Sequence, residues 1–162
     1  MLAVKVTDIL IDLDPIDIEL LRILQRDATL SNRQLSLQLN RSVAAIQERR
    51  RKLRDQGYIK RVVAIVDRRK IDRSLMAFLH VLLTSHSREV LLGFERDALQ
   101  LDEVMECMQL TGAYDFILRV AVRDMDAYTH FLRNKLATLP NISTVQSFFV
   151  LEEARNDTAY PL

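Results

Sequence analysis

The sequence predicts an α+β protein in two parts, three helices followed by a β-α-β-β-α-β run. Between Leu13 and Gln56 the apolar residues keep helical spacing, and each helical stretch opens on a capping residue, Asp14, Ser31 or Ser42. From Ser74 onward, strand-length apolar runs alternate with two amphipathic stretches. Charge divides at the same place: residues 1–72 hold 15 Lys and Arg against 10 Asp and Glu, and the remainder holds 8 against 12. A basic first half and an acidic second half suggest that only the first meets a polyanion.

Bulk composition narrows the class. Hydrophobic residues make up 49%, with only three Gly and three Pro, so the chain is rich in regular elements and poor in flexible linkers. A single cysteine, Cys107, leaves no intramolecular disulfide and fits a reducing cytosol. No apolar run approaches the roughly 20 residues of a membrane span. The N-terminus lacks a signal-peptide pattern. The expectation is a cytoplasmic protein without membrane contact.

Met1 to Asp12 reads as a short arm. In "LDPIDIELLRILQRDATL", Asp14 caps a helix, Pro15 suits its first position, and Asp17 lies near the positive end of the helix dipole. Leu20, Leu21, Ile23 and Leu24 supply its buried face. Ser31 caps a shorter helix buried through Leu35 and Leu39. Asn40 and Arg41 break it, since Asn tolerates the left-handed conformation of a tight turn. Ser42 caps the third helix, which runs to Gln56 and stops at Gly57. This order is a helix-turn-helix. "YIKRVVAIVD" beyond it reads as a strand that would make the unit winged.

The second part opens on strand 74–84, followed by helix 87–100, strand 102–111, a turn at Gly112, strand 114–122, helix 124–139 and strand 142–153. The order is the ferredoxin-like motif. Expected boundaries are 1–60 for the helix-turn-helix with its arm, 61–73 for a strand linker, and 74–162 for the ferredoxin-like domain. Strand 74–84 is apolar on both parities, with Leu75, Ala77, Leu79, Val81 and Leu83 against Met76, Phe78 and Leu82. The last strand sets Val145, Phe149 and Leu151 against Phe148 and Val150. A second apolar face needs a cover, and a copy of the same sheet is the simplest one, so a sheet-to-sheet dimer is expected.

"NRSVAAIQERRRKLRDQGYIK" carries the function. Six of the fourteen residues from Arg41 to Arg54 are Lys or Arg, while Ile46 and Leu53 keep a buried spacing. A charge run alone fits a solvated helix face. Its near-uniform sign, with Glu48 the one acid, and its place on the third helix favour double-stranded DNA as partner. Ala44 and Ala45 let the backbone approach a groove. Gln47 matches adenine, and Glu48, Arg49, Arg51 and Lys52 lie on the faces turned from the core. Asn32 is placed for backbone contact.

The stretch from Leu13 to Lys60 resembles the N-terminal domain of the Lrp/AsnC (leucine-responsive, feast/famine) transcriptional regulators. "LTGAYDFILRVAV" and "SFFVLEEAR" look like the amino-acid-sensing domain of that family. The resemblance keeps one register from about Leu13 to Arg155. It implies DNA binding by the third helix, dimerisation through the sheets with further assembly to tetramers or octamers, and a small amino acid effector held between dimers. By position, Ser42 and Arg49 match the family's recognition-helix Ser and Arg. Leu110, Thr111, Gly112, Ala113, Tyr114 and Asp115 match its effector turn, and Ser147 stands where a Thr is usual. Two departures add charge. Arg41 replaces the Leu of a Gly-Leu-Ser turn, and Arg50 replaces an inward Val or Ile, so Arg50 is expected to snorkel or find a carboxylate.

In "TGAYDF", Gly112 also serves an ordinary hairpin turn, and Asp115 an ordinary polar strand position. The functional reading gives a ligand carboxylate to the turn amides and the Thr111 hydroxyl, and its ammonium to Asp115, directly or through loop order. His80, His86 and His130 lack ligand spacing, so no metal or other cofactor is expected. Cys107 reads as a small buried hydrophobe. Two other functions share these features: a low-specificity architectural DNA binder, and a tetrapyrrole decarboxylase of the siroheme type, whose domain order looks alike. The second would need His and Arg around a polycarboxylate, which an acidic half poorly supplies.

Overall fold

The computed structural model describes residues 13–162, so the expected arm of residues 1–12 lies outside the described residues. Two compact units divide the chain: the N-terminal part to Ala64 together with 155–162, and the segment Ile65–Ala154.

The first unit holds α1 (Pro15–Arg26), α2 (Asn32–Gln38) and α3 (Val43–Asp55). The Asp14 side chain accepts from the main-chain N–H groups of Ile16 and Asp17, both at 2.8 Å. Ser31 and Gln34 close a reciprocal capping box on α2. Asn40 adopts φ 50° in the turn to α3, the left-handed geometry its side chain tolerates. Gly57, at φ 81°, ends α3. Leu20, Leu21, Leu35, Ile46 and Leu53 form the core, with Tyr58 and Ile59 packed against it.

The expected strand at 58–67 does not form. Residues 60–67 carry no helix or strand, and Val62, Val63, Ile65 and Val66 are exposed. β-branched residues favour strands only where a neighbouring edge accepts their hydrogen bonds, and no edge meets them among the described residues. A 3₁₀ turn at Arg68–Ile71 follows instead.

In the second unit, β1 (Leu75–Leu83), α4 (Arg88–Ala98), β2 (Val104–Gln109), β3 (Phe116–Val122), α5 (Met125–Asn134) and β4 (Ile142–Phe149) follow the expected sequence. The sheet order is β2-β3-β1-β4, with every pair antiparallel. One face packs Leu79, Val81, Leu118 and Val120 with Phe94 of α4 and Phe131 of α5. Cys107 lies against this core, and burial, then Glu95, pushes its thiol up to about 11, so it stays an unreactive thiol at neutral pH. The expected helix at 124–139 divides into α5 and a 3₁₀ turn at Leu136–Thr138. The last strand ends at Phe149; the Val150 N–H still reaches Met76 O at 2.9 Å, but Leu151 is 98% exposed.

The sheet's other face carries Phe78, His80 and Leu82 of β1 beside Phe148 of β4. It is not wholly apolar, because Arg119 and Glu106 pair across β3 and β2.

Asn40→Ala is expected to destabilise the first unit by about 1 kcal/mol and Asn40→Gly to leave it near wild type. Thermal melts of the two variants check this, and equal losses would remove the conformational explanation.

Candidate DNA-facing helix and effector turn

Helix α3 is fixed from three directions. Ile46 and Leu53 enter the core, and the Ser42 hydroxyl accepts from the Ala45 N–H at 3.2 Å. Arg49 turns inward, donating from one terminal nitrogen to Asp14 Oδ2 at 2.6 Å and Asp17 Oδ1 at 2.7 Å. The Asp17 side chain is only 5% exposed, so this pair joins α3 to the start of α1. The Asp17 N–H bond is the largest influence on Asp14 and holds its carboxyl below the ordinary range. Burial opposes that shift and Arg49 adds to it. Arg49 is raised in turn, by its bonds to Asp17 and then Asp14.

Arg50 finds no carboxylate. It donates to Leu30 O at 3.2 Å and Asn32 Oδ1 at 2.8 Å, linking α3 to the start of α2. That contact occupies the Asn32 side-chain oxygen and leaves its Nδ2 as the donor for the expected backbone contact. Of the residues expected at DNA, Ala44, Gln47, Glu48, Arg51 and Lys52 are exposed on the outer face of α3, and Ala45 is half-buried at its margin. The sign argument missed Asp55: Arg51 bonds Glu48 within one turn and Asp55 at 3.0 Å. Its bond holds Glu48 below the usual carboxylate range. Arg51 is 63% exposed, and such surface pairs contribute little, so a phosphate can compete for it. Arg33, Arg54 and Val43, which the sequence reading passed over, are also exposed on these helices.

The β2–β3 turn is the second candidate site. Leu110 N–H donates to Asp115 O at 2.8 Å, and Gly112 sits at φ 125°, where any side chain is strained. Thr111, Gly112 and Ala113 are exposed beyond that bond. Asp115 is a staple. Its N–H donates to Val81 O at 2.9 Å, Oδ2 accepts from Leu83 N–H at 2.8 Å, and Oδ1 meets His86 Nε2 at 3.0 Å. Its side chain is 13% exposed, so it orders the turn and offers little to a ligand.

Tyr114 donates to Gln146 Oε1 and packs tilted against His80 at a 5.0 Å centroid distance; His80 in turn packs tilted against Phe148 at 4.9 Å. Ser147 does not join this group. Strand alternation sends it to the helix-covered face, where its hydroxyl bonds Tyr128. Gln146, one residue earlier, is the β4 side chain beside the turn, and period-two alternation from Val145 could have found it. Among the described residues no His, Cys, Asp and Glu group could hold a metal ion.

The model of the Lrp/AsnC ligand binding domain matches residues 76–160, and that of the winged helix-turn-helix DNA-binding domain matches residues 13–60. The Bkd operon transcriptional regulator of Pseudomonas aeruginosa is 34% identical over 93% of this chain and 99% of its own length. The leucine-responsive regulatory protein of Escherichia coli is 33% identical, covering 89% of this chain and 88% of its own. A Neisseria meningitidis transcriptional regulator solved with L-Met superposes with TM-score 0.88 at 30% identity, over 92% of this chain and 96% of that one. An AsnC family regulator from Agrobacterium tumefaciens gives 0.87 at 33% identity, over 92% and 97%.

Arg49→Ala is expected to strand the buried Asp17 carboxylate and to cost the first unit about 2–3 kcal/mol, short of the fully buried range because Arg49 is partly solvated. Denaturant melts check this. Because Asp14 lies below its unfolded value, its contribution is present above about pH 4 and fades as pH falls through the folded value. A melt unchanged in Arg49→Ala would remove the bridge from the account.

Proposed function

The chain belongs to the Lrp/AsnC family of DNA-binding transcriptional regulators, and we propose that it acts as a homodimer whose two α3 helices read a specific DNA site under the control of a small amino acid. The observation that carries the proposal is the outer face of α3. Ala44 leaves room for close approach, and the Gln47 amide engages no other described residue, so both its donor and its acceptor are available to a base edge. Arg54 and Arg33 supply phosphate contacts that are not committed elsewhere in the described fold. Lys52 and Arg51 join them at the groove wall.

The effector is an amino acid, in line with a leucine-responsive relative and a relative solved with L-Met. Its carboxylate takes the exposed amides of Thr111, Gly112 and Ala113, and Tyr114 and Gln146 form the wall. Asp115 acts by holding the turn open. The dimer buries the sheet face that carries Phe78, Leu82 and Phe148, and the exposed run Val62–Val66 is a further surface for the partner copy. Higher assembly to tetramers or octamers follows the family. No described helix is long and apolar enough to cross a membrane, and the reading places the protein in the cytoplasm on the nucleoid.

Fluorescence anisotropy with DNA from upstream of its own gene, a scrambled duplex and a salt series tests this reading. The native duplex should bind far tighter, with affinity falling as salt rises. Gln47→Ala should erase roughly 1–3 kcal/mol of discrimination at one base pair, whereas Arg54→Ala should weaken both duplexes alike and reduce the salt slope by about 1. Equal binding of both duplexes by the wild type would make this an architectural DNA protein.

Calorimetric titration with L-leucine and L-methionine separates the two β4 residues at the turn. Gln146→Ala should weaken the bound amino acid about tenfold, the loss of one hydrogen bond, with Ser147→Ala near wild type. The reverse ranking would move the site to the helix-covered face. Phe148→Asp should turn the dimer into monomer in light scattering, and an unchanged mass would exclude this sheet face as the interface.

A further inference from the structure

The outer face of α1 carries Glu19, Arg22, Gln25 and Arg26, spaced to form one polar strip along the helix. An irregular segment of the same chain, residues 155–162, belongs to this unit although it follows the last strand of the other. The contacts are of a definite kind. Gln25 Nε2 donates to Tyr160 O at 3.2 Å, and Gln25 Oε1 accepts from Tyr160 N–H at 2.7 Å. One side-chain amide thus satisfies both main-chain groups of a residue, as a neighbouring strand would. Arg22 donates to the Leu162 main-chain oxygen through Nε at 2.7 Å and again through a terminal nitrogen. Glu19 Oε2 holds Arg22 from the other side at 3.0 Å.

The segment is prepared for this contact. Asp157 accepts from the Ala159 N–H at 3.0 Å and from Arg155 at 2.9 Å, which bends the chain before Tyr160. Those bonds, the Ala159 N–H foremost, hold the Asp157 carboxyl below its ordinary range, with Arg26 of α1 contributing. Pro161 biases Tyr160 toward extended backbone, the form that presents its N–H and C=O together. The Tyr160 residue is 80% exposed, so recognition reads the main chain rather than the ring.

We propose that the α1 strip is a peptide-docking surface whose occupant is the chain's own 155–162 segment, and that this clasp holds α1, and through it α3, in place for DNA. The chain passes between the two units after Ala64 and again after Ala154, and the segment that follows the second passage belongs to the first unit. The mechanical link is short, because α1 is also the helix whose Asp14 and Asp17 grip Arg49 of α3. The functional part rests on the reading of α3 as the DNA-facing helix; the clasp itself does not.

Hydrogen exchange on the full chain tests the clasp. The Tyr160 amide should exchange roughly tenfold more slowly in the wild type than in Gln25→Ala, and should stay slow in Tyr160→Ala, which keeps the main-chain groups. A Tyr160 amide exchanging at the unprotected rate in the wild type overturns the proposal whatever the DNA results. For the functional part, Gln25→Ala on α1 and Tyr160→Pro on the tail, which removes the accepted N–H, each lower DNA affinity about fivefold, and together lower it no further. Additive losses, or a silent effect of either change, overturn the link to DNA. Wild-type protein that binds no duplex instead refutes the DNA reading, and hydrogen exchange still decides the clasp.

Discussion

The first unit depends on one guanidinium. Arg49 points from α3 toward the opening turn of α1, where one terminal nitrogen serves Asp14 and Asp17 together. Asp17 is nearly out of solvent, and an unpaired carboxylate there would be costly, so α3 is acceptable only in the rotation that delivers Arg49. Asp14 works twice, capping α1 through two main-chain N–H groups and receiving Arg49 on its other oxygen. The apolar contacts of Ile46 and Leu53 turn the same side of the helix to the core. The Arg49 bridge adds a polar constraint to that rotation, and the outer face carrying Gln47 follows from both.

Local chemistry made the helix ends legible in the sequence. Asp14, Ser31 and Ser42 cap their helices as their residue types require, and Asn40 takes the left-handed turn position expected of it. The succession of strands and helices in the second unit was likewise readable, from strand-length apolar runs between amphipathic stretches. Contacts between distant residues were not. Arg49 lies on a helix whose charge reads as a surface, and only the placement of Asp17 at 2.7 Å turns it inward. Arg50 was expected to snorkel or to find a carboxylate; it stays partly exposed, and the oxygens it meets belong to Leu30 and Asn32. The run 60–67 has strand composition without a strand, because a ladder requires an edge that local composition cannot supply. The direction of Ser147 was hidden for a simpler reason: a family position fixes a residue's place along β4, whereas the pleat fixes its face.

Asp115 shows how one polar residue can order a whole turn. Both carboxylate oxygens are engaged, one by the Leu83 N–H and one by His86, while its own main chain closes the hairpin and bonds β1. The bonds to Val81 and Leu83 tie the turn to the end of β1. The exposed residues Thr111, Gly112 and Ala113 are thereby held at the tip, free of the ladder. A ligand meeting donors that are already fixed loses less in ordering them, which is the advantage of a preorganised turn over a flexible one.

The charge on α3 can be weighed again with its partners known. Of the six cations between Arg41 and Arg54, Arg49 and Arg50 are committed to the fold, and Arg51 is shared with Glu48 and Asp55. The part that can meet a polyanion is smaller than the sequence count, and sequence-independent affinity scales with the number of phosphates neutralised. An architectural protein needs that term to be large, because it has little else. A regulator needs it only to bring the helix to the groove, where base edges decide. A helix that spends two of its five cations on its own orientation, and carries on its outer face a glutamine engaged by no other described residue, supports the proposed second task over the first.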